Sequence, residues 1–370
     1  MKSVTGTILT IILAFSAAFA FGQKTETAVI AYFAGSPETL DKYDLNKVTH
    51  IIFSFGHLRG NVLHISNARD TLTIQKMVAW KAKNPELKVL LSLGGWGGCA
   101  PCADVFATEK GRSDFAKSVR ELLDYFNADG IDLDWEYPTI EGYPGHKYGP
   151  EDKANFTALV QELRQTLGKN AIITFAAGGF QKFLDESVDW KAVMAIVDFV
   201  NIMSYDLVNG YSKVTGHHTP LYSATPEMES TDRAVNYLEQ LGIPANKLVI
   251  GAAFYARVWK DVPDINNGLY QKGEFFRGYQ FDQVDSLVSG SHTGFTKYWD
   301  AKAEAPYAYN PTKKLFMTFD DKRSVRLKTE YAIKRGLKGI MFWQLADDNP
   351  RNGLLSEIYR TKDMNSLKKK

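Results

Sequence analysis

Eight short runs of apolar, often β-branched residues recur along the chain, at 28–33, 49–55, 88–93, 130–135, 171–176, 198–203, 248–254 and 339–343. Runs such as VTHIIFSF and KLVIGAAF are apolar at nearly every position, as strands covered on both faces must be. Longer amphipathic stretches lie between them, at 111–127, 151–167, 231–241 and 324–335. Breakers such as Gly168 and Gly242-Ile243-Pro244 end two of these. Eight βα units in 370 residues predict an α/β fold of the (β/α)8 barrel kind. One stretch departs from the alternation. After Phe254 no helix pattern begins until about Ser324, and 260–311 is rich in Gly, Tyr, Phe and Asp with strand-like pieces such as GFTKYWD. A structureless loop of that length is improbable, so the segment reads as a small inserted subdomain.

The ends and the charge narrow the setting. Residues 1–22 have the form of a secretory signal: Lys2, an apolar run from Ile8 to Ala20, and the small-x-small pattern Ala18-Phe19-Ala20. About 13 apolar residues are too few to span a bilayer. The expected mature protein, 23–370, is exported, off the membrane and monomeric. Lys and Arg number 44 against 42 Asp and Glu, a net charge of +2 without a basic stripe, so nucleic acid is not an expected partner. The two cysteines, Cys99 and Cys102, form a CxxC pair. Neither a thioredoxin-like setting nor two further zinc ligands accompany them, which leaves a local disulfide staple as the favoured reading over redox or zinc roles.

The segment Asp129-Gly130-Ile131-Asp132-Leu133-Asp134-Trp135-Glu136 carries the chemistry. Residues two apart share a strand face. Asp132, Asp134 and Glu136 therefore line one side, and Ile131, Leu133 and Trp135 the other. The apolar side suits packing against helices, so the acidic side points into the barrel, with Glu136 at the C-terminal mouth where barrel enzymes keep their sites. Carboxylates this close cannot all ionise cheaply, and one protonated acid at the mouth is a ready general acid. Acid catalysis is favoured over a solvent-facing strand or a divalent-cation site, since the loop pattern of a calcium site is missing.

These residues, with four further motifs, resemble glycoside hydrolase family 18 chitinases. DGIDLDWEYP looks like the family's DxxDxDxE signature; Ser92-Leu93-Gly94-Gly95, followed by Trp96, is similar to its SxGG; Met203-Ser204-Tyr205-Asp206 to its MxYD; Tyr255-Ala256-Arg257 to its Tyr-x-Arg; and Trp343 to the Trp ending its last strand. The likeness covers about 27–359. It implies that 260–311 is an α+β insertion deepening the cleft. It also implies a substrate-assisted mechanism without cofactor or metal. Glu136 would protonate the glycosidic oxygen, the substrate's 2-acetamido oxygen would attack, Asp134 would stabilise the oxazolinium, Asp132 would share its proton, and Tyr205 would orient the acetamido group. Trp343 would floor the reacting sugar. Tyr32, Phe55, Trp96, Met203, Asp206, Tyr255 and Arg257 are the further expected substrate contacts. Asp129 lies off the acidic face and suits a cap or turn role, and Asp347 and Asp348 read as loop charges in solvent. Gln344, where many relatives carry Glu, and Ala176-Ala177-Gly178 depart from the family pattern near the cleft.

The expected partner is chitin or chitooligosaccharides. Rival readings are an endo-β-N-acetylglucosaminidase acting on N-glycans, against which the long insertion argues, and a non-hydrolytic lectin, against which Glu136 argues.

Overall fold

The computed structural model describes residues 27–290 and 293–367; the signal-peptide reading lies outside them. Strands β1 (Ala28–Phe33) and β2 (His50–Arg59) are followed by β3 (Val62–His64), which folds back antiparallel on the end of β2. Next come β4 (Lys88–Gly94), β5 (Gly130–Asp134), β6 (Ile172–Gly178), β7 (Phe199–Met203) and β8 (Leu248–Ala253). The chain then leaves the barrel for β9 (Tyr255–Lys260), β10 (Glu274–Gln280), β11 (Thr296–Asp300), β12 (Ala305–Asn310) and β13 (Leu315–Phe319), and returns at β14 (Gly339–Trp343). β1 pairs in parallel with both β2 and β14, which closes the eight parallel strands β1, β2, β4, β5, β6, β7, β8 and β14 into a barrel. The expected fold class is the observed one.

Alternation along each strand builds two cores. Ile30 and Tyr32 of β1 join Ile52, Leu90, Phe199, Met203, Val249 and Met341 inside the barrel. Val29, Ala31 and Phe33 face the helices, in the layer that also holds Ile131, Leu133 and Trp135. Both faces of each strand are thereby dry, which explains the unbroken apolar runs. Three of the longer helices start at side-chain caps. Thr108 accepts from Gly111 N ahead of Glu109–Phe126, Ser230 from Arg233 N ahead of Thr231–Gln240, and Asp321 forms a capping box with Ser324 at the head of Lys322–Arg335. Asn127, at φ 58°, ends the first of these in the left-handed conformation Asn tolerates.

β10, β9, β13, β12 and β11, in that order, form a second, antiparallel sheet. Trp259, Leu269, Tyr309 and Phe316 are buried in its own small core. Its strands run from Tyr255 to Phe319, beyond the 260–311 stretch at both ends. The helix Phe281–Ser289 lies within it, so the expectation that no helix begins before about Ser324 is corrected: nine residues were too short a stretch to display a period. Cys99 and Cys102 are joined, with an S–S distance of 1.99 Å, in the loop after β4. Asp347 and Asp348 are buried and do not face solvent. Asp348 accepts from Leu354 N (2.8 Å) and Leu355 N (3.0 Å) at the head of the last helix, and Asp347 accepts from Gln280 Nε2 (2.8 Å) on the second sheet. Unmet backbone N–H groups six and seven residues ahead draw Asp348 inward, and a sheet distant in sequence draws Asp347.

Candidate active site

Asp132 sits at the centre of the barrel, fully buried, and accepts four hydrogen bonds. Tyr32 Oη (3.0 Å) and Ser92 Oγ (2.9 Å) donate to Oδ2; Thr174 Oγ1 (2.6 Å) and Asn201 Nδ2 (3.1 Å) donate to Oδ1. Burial raises its pKa, and these donors pull against the rise. Asp134, one rung higher and also buried, has no such set of donors: its Oδ1 is unpartnered. Burial, then the charges of Glu136 and Asp132, push its pKa well above the carboxylate range. Glu136 lies two residues beyond Asp134, just past the end of β5, and its pKa is pushed up to about 7, by burial first, with the charge of Asp206 adding to the rise. One strand thus supplies three carboxyl groups whose surroundings differ rung by rung.

The neighbouring strand approaches this ladder closely. Gly94 stands opposite Asp134 at φ 109°, and a Cβ there would fall 2.1 Å from the Asp134 carbonyl oxygen. A Cβ on Gly95, at φ 77°, would fall 2.3 Å from the Phe55 ring. The two glycines of the SxGG motif are therefore demanded by contact and by left-handed backbone alike.

At the mouth, Trp343 stacks on Phe55 with centroids 5.4 Å apart and planes 12° apart, and lies 6.0 Å from the Tyr32 ring. Met203 and Tyr205 are buried beside them in the barrel's inner cluster, with Tyr255 packed against it. The Tyr205 hydroxyl lies 3.8 Å from Met341 Sδ, and its ring is 6.1 Å from Tyr255. Asp206, at φ 55°, turns its side chain to Arg257, which donates from Nε and Nη2 at 2.7 Å each, while Tyr255 Oη donates at 2.8 Å. Burial opposes ionisation of Asp206, but His218 and Arg257 prevail and hold its pKa well below the usual range. The peptides Ser54–Phe55, Glu136–Tyr137 and Trp343–Gln344 are cis. Trp96 stands on the rim, 47% exposed, among Tyr137, Tyr143 and Tyr211 at 6.3, 5.6 and 6.3 Å.

All twelve residues expected at the site gather at this end of the barrel or on its rim. Asp129 does not join them: it accepts from Val89 N (2.7 Å) and pairs with Lys81 (2.6 Å), which anchors the start of β5. Gln344 accepts from Ala34 N at 2.7 Å and so ties the end of β14 to the end of β1. Thr174 and Asn201 were missed. Their signal was available, since each is a polar residue at an inward position of an otherwise apolar strand. His218 was also missed: it sits fully buried on the long loop after β7, Nδ1 3.7 Å from Asp206, where no period marks it.

The fold and this ladder define a class: a (β/α)8 barrel hydrolase with three buried carboxyl groups rising along one strand to the mouth. Residues 28–348 match the model of glycosyl hydrolases family 18, and the chain belongs to that family. It is 36% identical to Chitinase A1 of Niallia circulans over 74% of this chain and 42% of that protein. It is 31% identical to chitotriosidase-1 of Mus musculus over 83% of this chain and 68% of that protein. The chain thus spans less than half the length of the first of these relatives. Among solved structures, a family 18 N-acetylglucosaminidase from Paenibacillus barengoltzii superposes with a TM-score of 0.82 at 35% identity, covering 91% of this chain and all of the other.

Proposed function

We propose that this chain hydrolyses β-1,4-linked N-acetylglucosamine, in chitin or chitooligosaccharides, as an exported monomer, with retention of configuration and with the substrate's own acetamido group as nucleophile. The observation that carries the reading is the contrast within the ladder. Glu136 keeps a proton up to about pH 7 and so suits a general acid. Asp206, the other carboxylate nearby, accepts from Arg257 and Tyr255 through both of its oxygens, which makes it a poor nucleophile. Asp134 presents a buried, unpartnered oxygen. An acetamido N–H is the donor that this oxygen lacks, and accepting it turns the acetamido carbonyl oxygen toward the anomeric carbon. Asp132, held by four donors, stays fixed beneath Asp134 and shares its proton as charge develops. Tyr205 closes on the acetamido oxygen, and Trp343 supports the sugar's apolar face. Water then opens the oxazolinium from the face the leaving group vacated, and two inversions give a β product.

The similar Paenibacillus structure bears the name N-acetylglucosaminidase, and release of single sugars rather than longer pieces is the second reading; both use the same sugar under Glu136. The test is product analysis by early-time NMR on fully and partly acetylated chitooligosaccharides, with a core N-glycopeptide alongside. We expect β products, no cutting after a glucosamine unit, no cleavage of the glycopeptide, and loss of at least about 100-fold in kcat for Glu136→Gln. An initial α-anomer, cutting after glucosamine, or a folded Glu136→Gln with half of wild-type turnover refutes the mechanism. Preferred cleavage of the glycopeptide refutes the substrate.

A further inference from the structure

Two segments that carry substrate-facing groups, the ends of β7 and β8, meet at a buried charge pair for which the chemistry above has no use. Lys328, on the helix Lys322–Arg335, is fully buried, and its Nζ donates to Asp320 Oδ2 (2.7 Å) and to Thr219 Oγ1 (2.5 Å). Asp320 accepts in addition from Ala253 N (2.9 Å), the last residue of β8, and from Ser324 Oγ (2.6 Å). With Lys328 donating to it, the Thr219 hydroxyl has one proton to give, and it faces both the Ser204 carbonyl at 3.2 Å and Asp320 Oδ2 at 3.3 Å. Ser204 immediately precedes Tyr205 and Asp206. Its Oγ accepts from Gly251 N (3.0 Å), and the Tyr205 ring lies so close to Gly251 that a Cβ there would fall 2.9 Å from it. Ala253 stands two residues before Tyr255 and four before Arg257.

We infer that Thr219 and Lys328 are positioning residues for the wall made by Tyr205, Asp206, Tyr255 and Arg257, acting through the Ser204 carbonyl and through Asp320. The inference rests on the proposed roles of those four residues. Its physical ground is that a fully buried ion pair adds little stability over apolar side chains of the same volume, yet its hydrogen bonds are directional. Lys328 lies more than a hundred residues from Tyr205 in sequence and directs two hydrogen bonds, one leading to the end of β7 and the other to the end of β8. The pair also includes Asp320, the first residue after β13, so the second sheet's return strand and the acetamido wall share one anchor.

Thr219→Val keeps the shape of the side chain and removes the relay; Thr219→Ser keeps the hydroxyl. Both are to be measured well below their melting temperatures on a chitotriose substrate, with Lys328→Met as a second route to the same loss. Thr219→Val should lower kcat about 10- to 100-fold, the scale of a small misplacement at a reacting group, while KM stays within about threefold. Thr219→Ser should restore kcat. In the free protein, 3-fluorotyrosine at position 205 should shift its ¹⁹F resonance in Thr219→Val and Lys328→Met but not in Thr219→Ser. Wild-type kcat with an unshifted resonance in Thr219→Val, or a Thr219→Ser variant as impaired as Val, overturns the inference. A wild-type protein inert on N-acetylated sugars overturns the functional reading instead, and the fluorine resonance still decides whether the relay places Tyr205.

Discussion

Glu136 must hold a proton to act as an acid, and its surroundings decide the pH range in which it can. Burial raises it to about 7, and the nearby charge of Asp206 works in the same direction. In the proposed role the protonated form is the working one, so kcat/KM is expected to be lost as pH rises through about 7 and kept below it until the aspartates are affected. Asp206→Asn removes a negative charge beside Glu136, which makes its ionisation easier, and should move that limb toward acid by up to about one pH unit. A pH–rate profile of the two proteins checks this; a limb that stays in place, or moves toward base, would show that Asp206 does not act on Glu136 through its charge. The same carboxylate ladder was legible in the sequence because strand alternation is strictly local. What alternation did not disclose was why Asp132 and Asp134 differ. Asp132 meets hydroxyl and amide donors from four other strands, and Asp134 meets none that satisfies its Oδ1.

Among the elements, the Cys99–Cys102 loop and the second sheet carry separate expectations. The disulfide closes a loop with a sequence separation of only 3, so the chain-entropy contribution is about 2 kcal/mol, near the low end for a disulfide. Cys99→Ala/Cys102→Ala should therefore lower unfolding free energy by roughly that amount, with turnover on short substrates little changed; denaturant titration measures it, and a loss above about 4 kcal/mol would assign the pair a larger role in the β4 loop. β9 and β13 are antiparallel neighbours, and Val262 N donates to Lys314 O (3.1 Å) where the hairpin could close. Replacing 262–313 by a tight turn, with Trp259→Thr and Phe316→Thr to suit their new exposure, keeps Arg257 and Asp320 in place. Such a variant should bind long chitooligosaccharides about tenfold more weakly while kcat on a short activated glycoside changes less, because remote contacts serve binding and positioning. Equal losses on both substrates would count against the second sheet as a cleft wall. The helix Phe281–Ser289 and the short helices Gln181–Glu186 and Trp190–Met194 escaped sequence reading because one or two turns contain too few residues for a period to emerge.

At the scale of the whole molecule, the barrel and the second sheet are joined by Asp320, Lys328 and Thr219, all buried, and by Gln280 donating to Asp347 across the boundary. Two bodies that share buried polar anchors should melt together, since opening one leaves the other's charges unpaired. Calorimetry is expected to show one transition whose calorimetric and van't Hoff enthalpies agree; two resolved transitions would show the sheet to be an independent unit. The order of the eight strands, the double burial of each, the face that Asp132, Asp134 and Glu136 share, and the break in pattern after Phe254 were all determined by the sequence, because each is a matter of spacing between near neighbours along the chain. The closure of β1 on β14, the inward turn of Asp347, the four donors on Asp132, the clasp of Arg257 on Asp206 and the reach of Lys328 to Thr219 were decided only by the tertiary structure. Each of those joins residues whose separation along the chain carries no period, and whose meeting depends on how the closed barrel brings distant strand ends to one mouth.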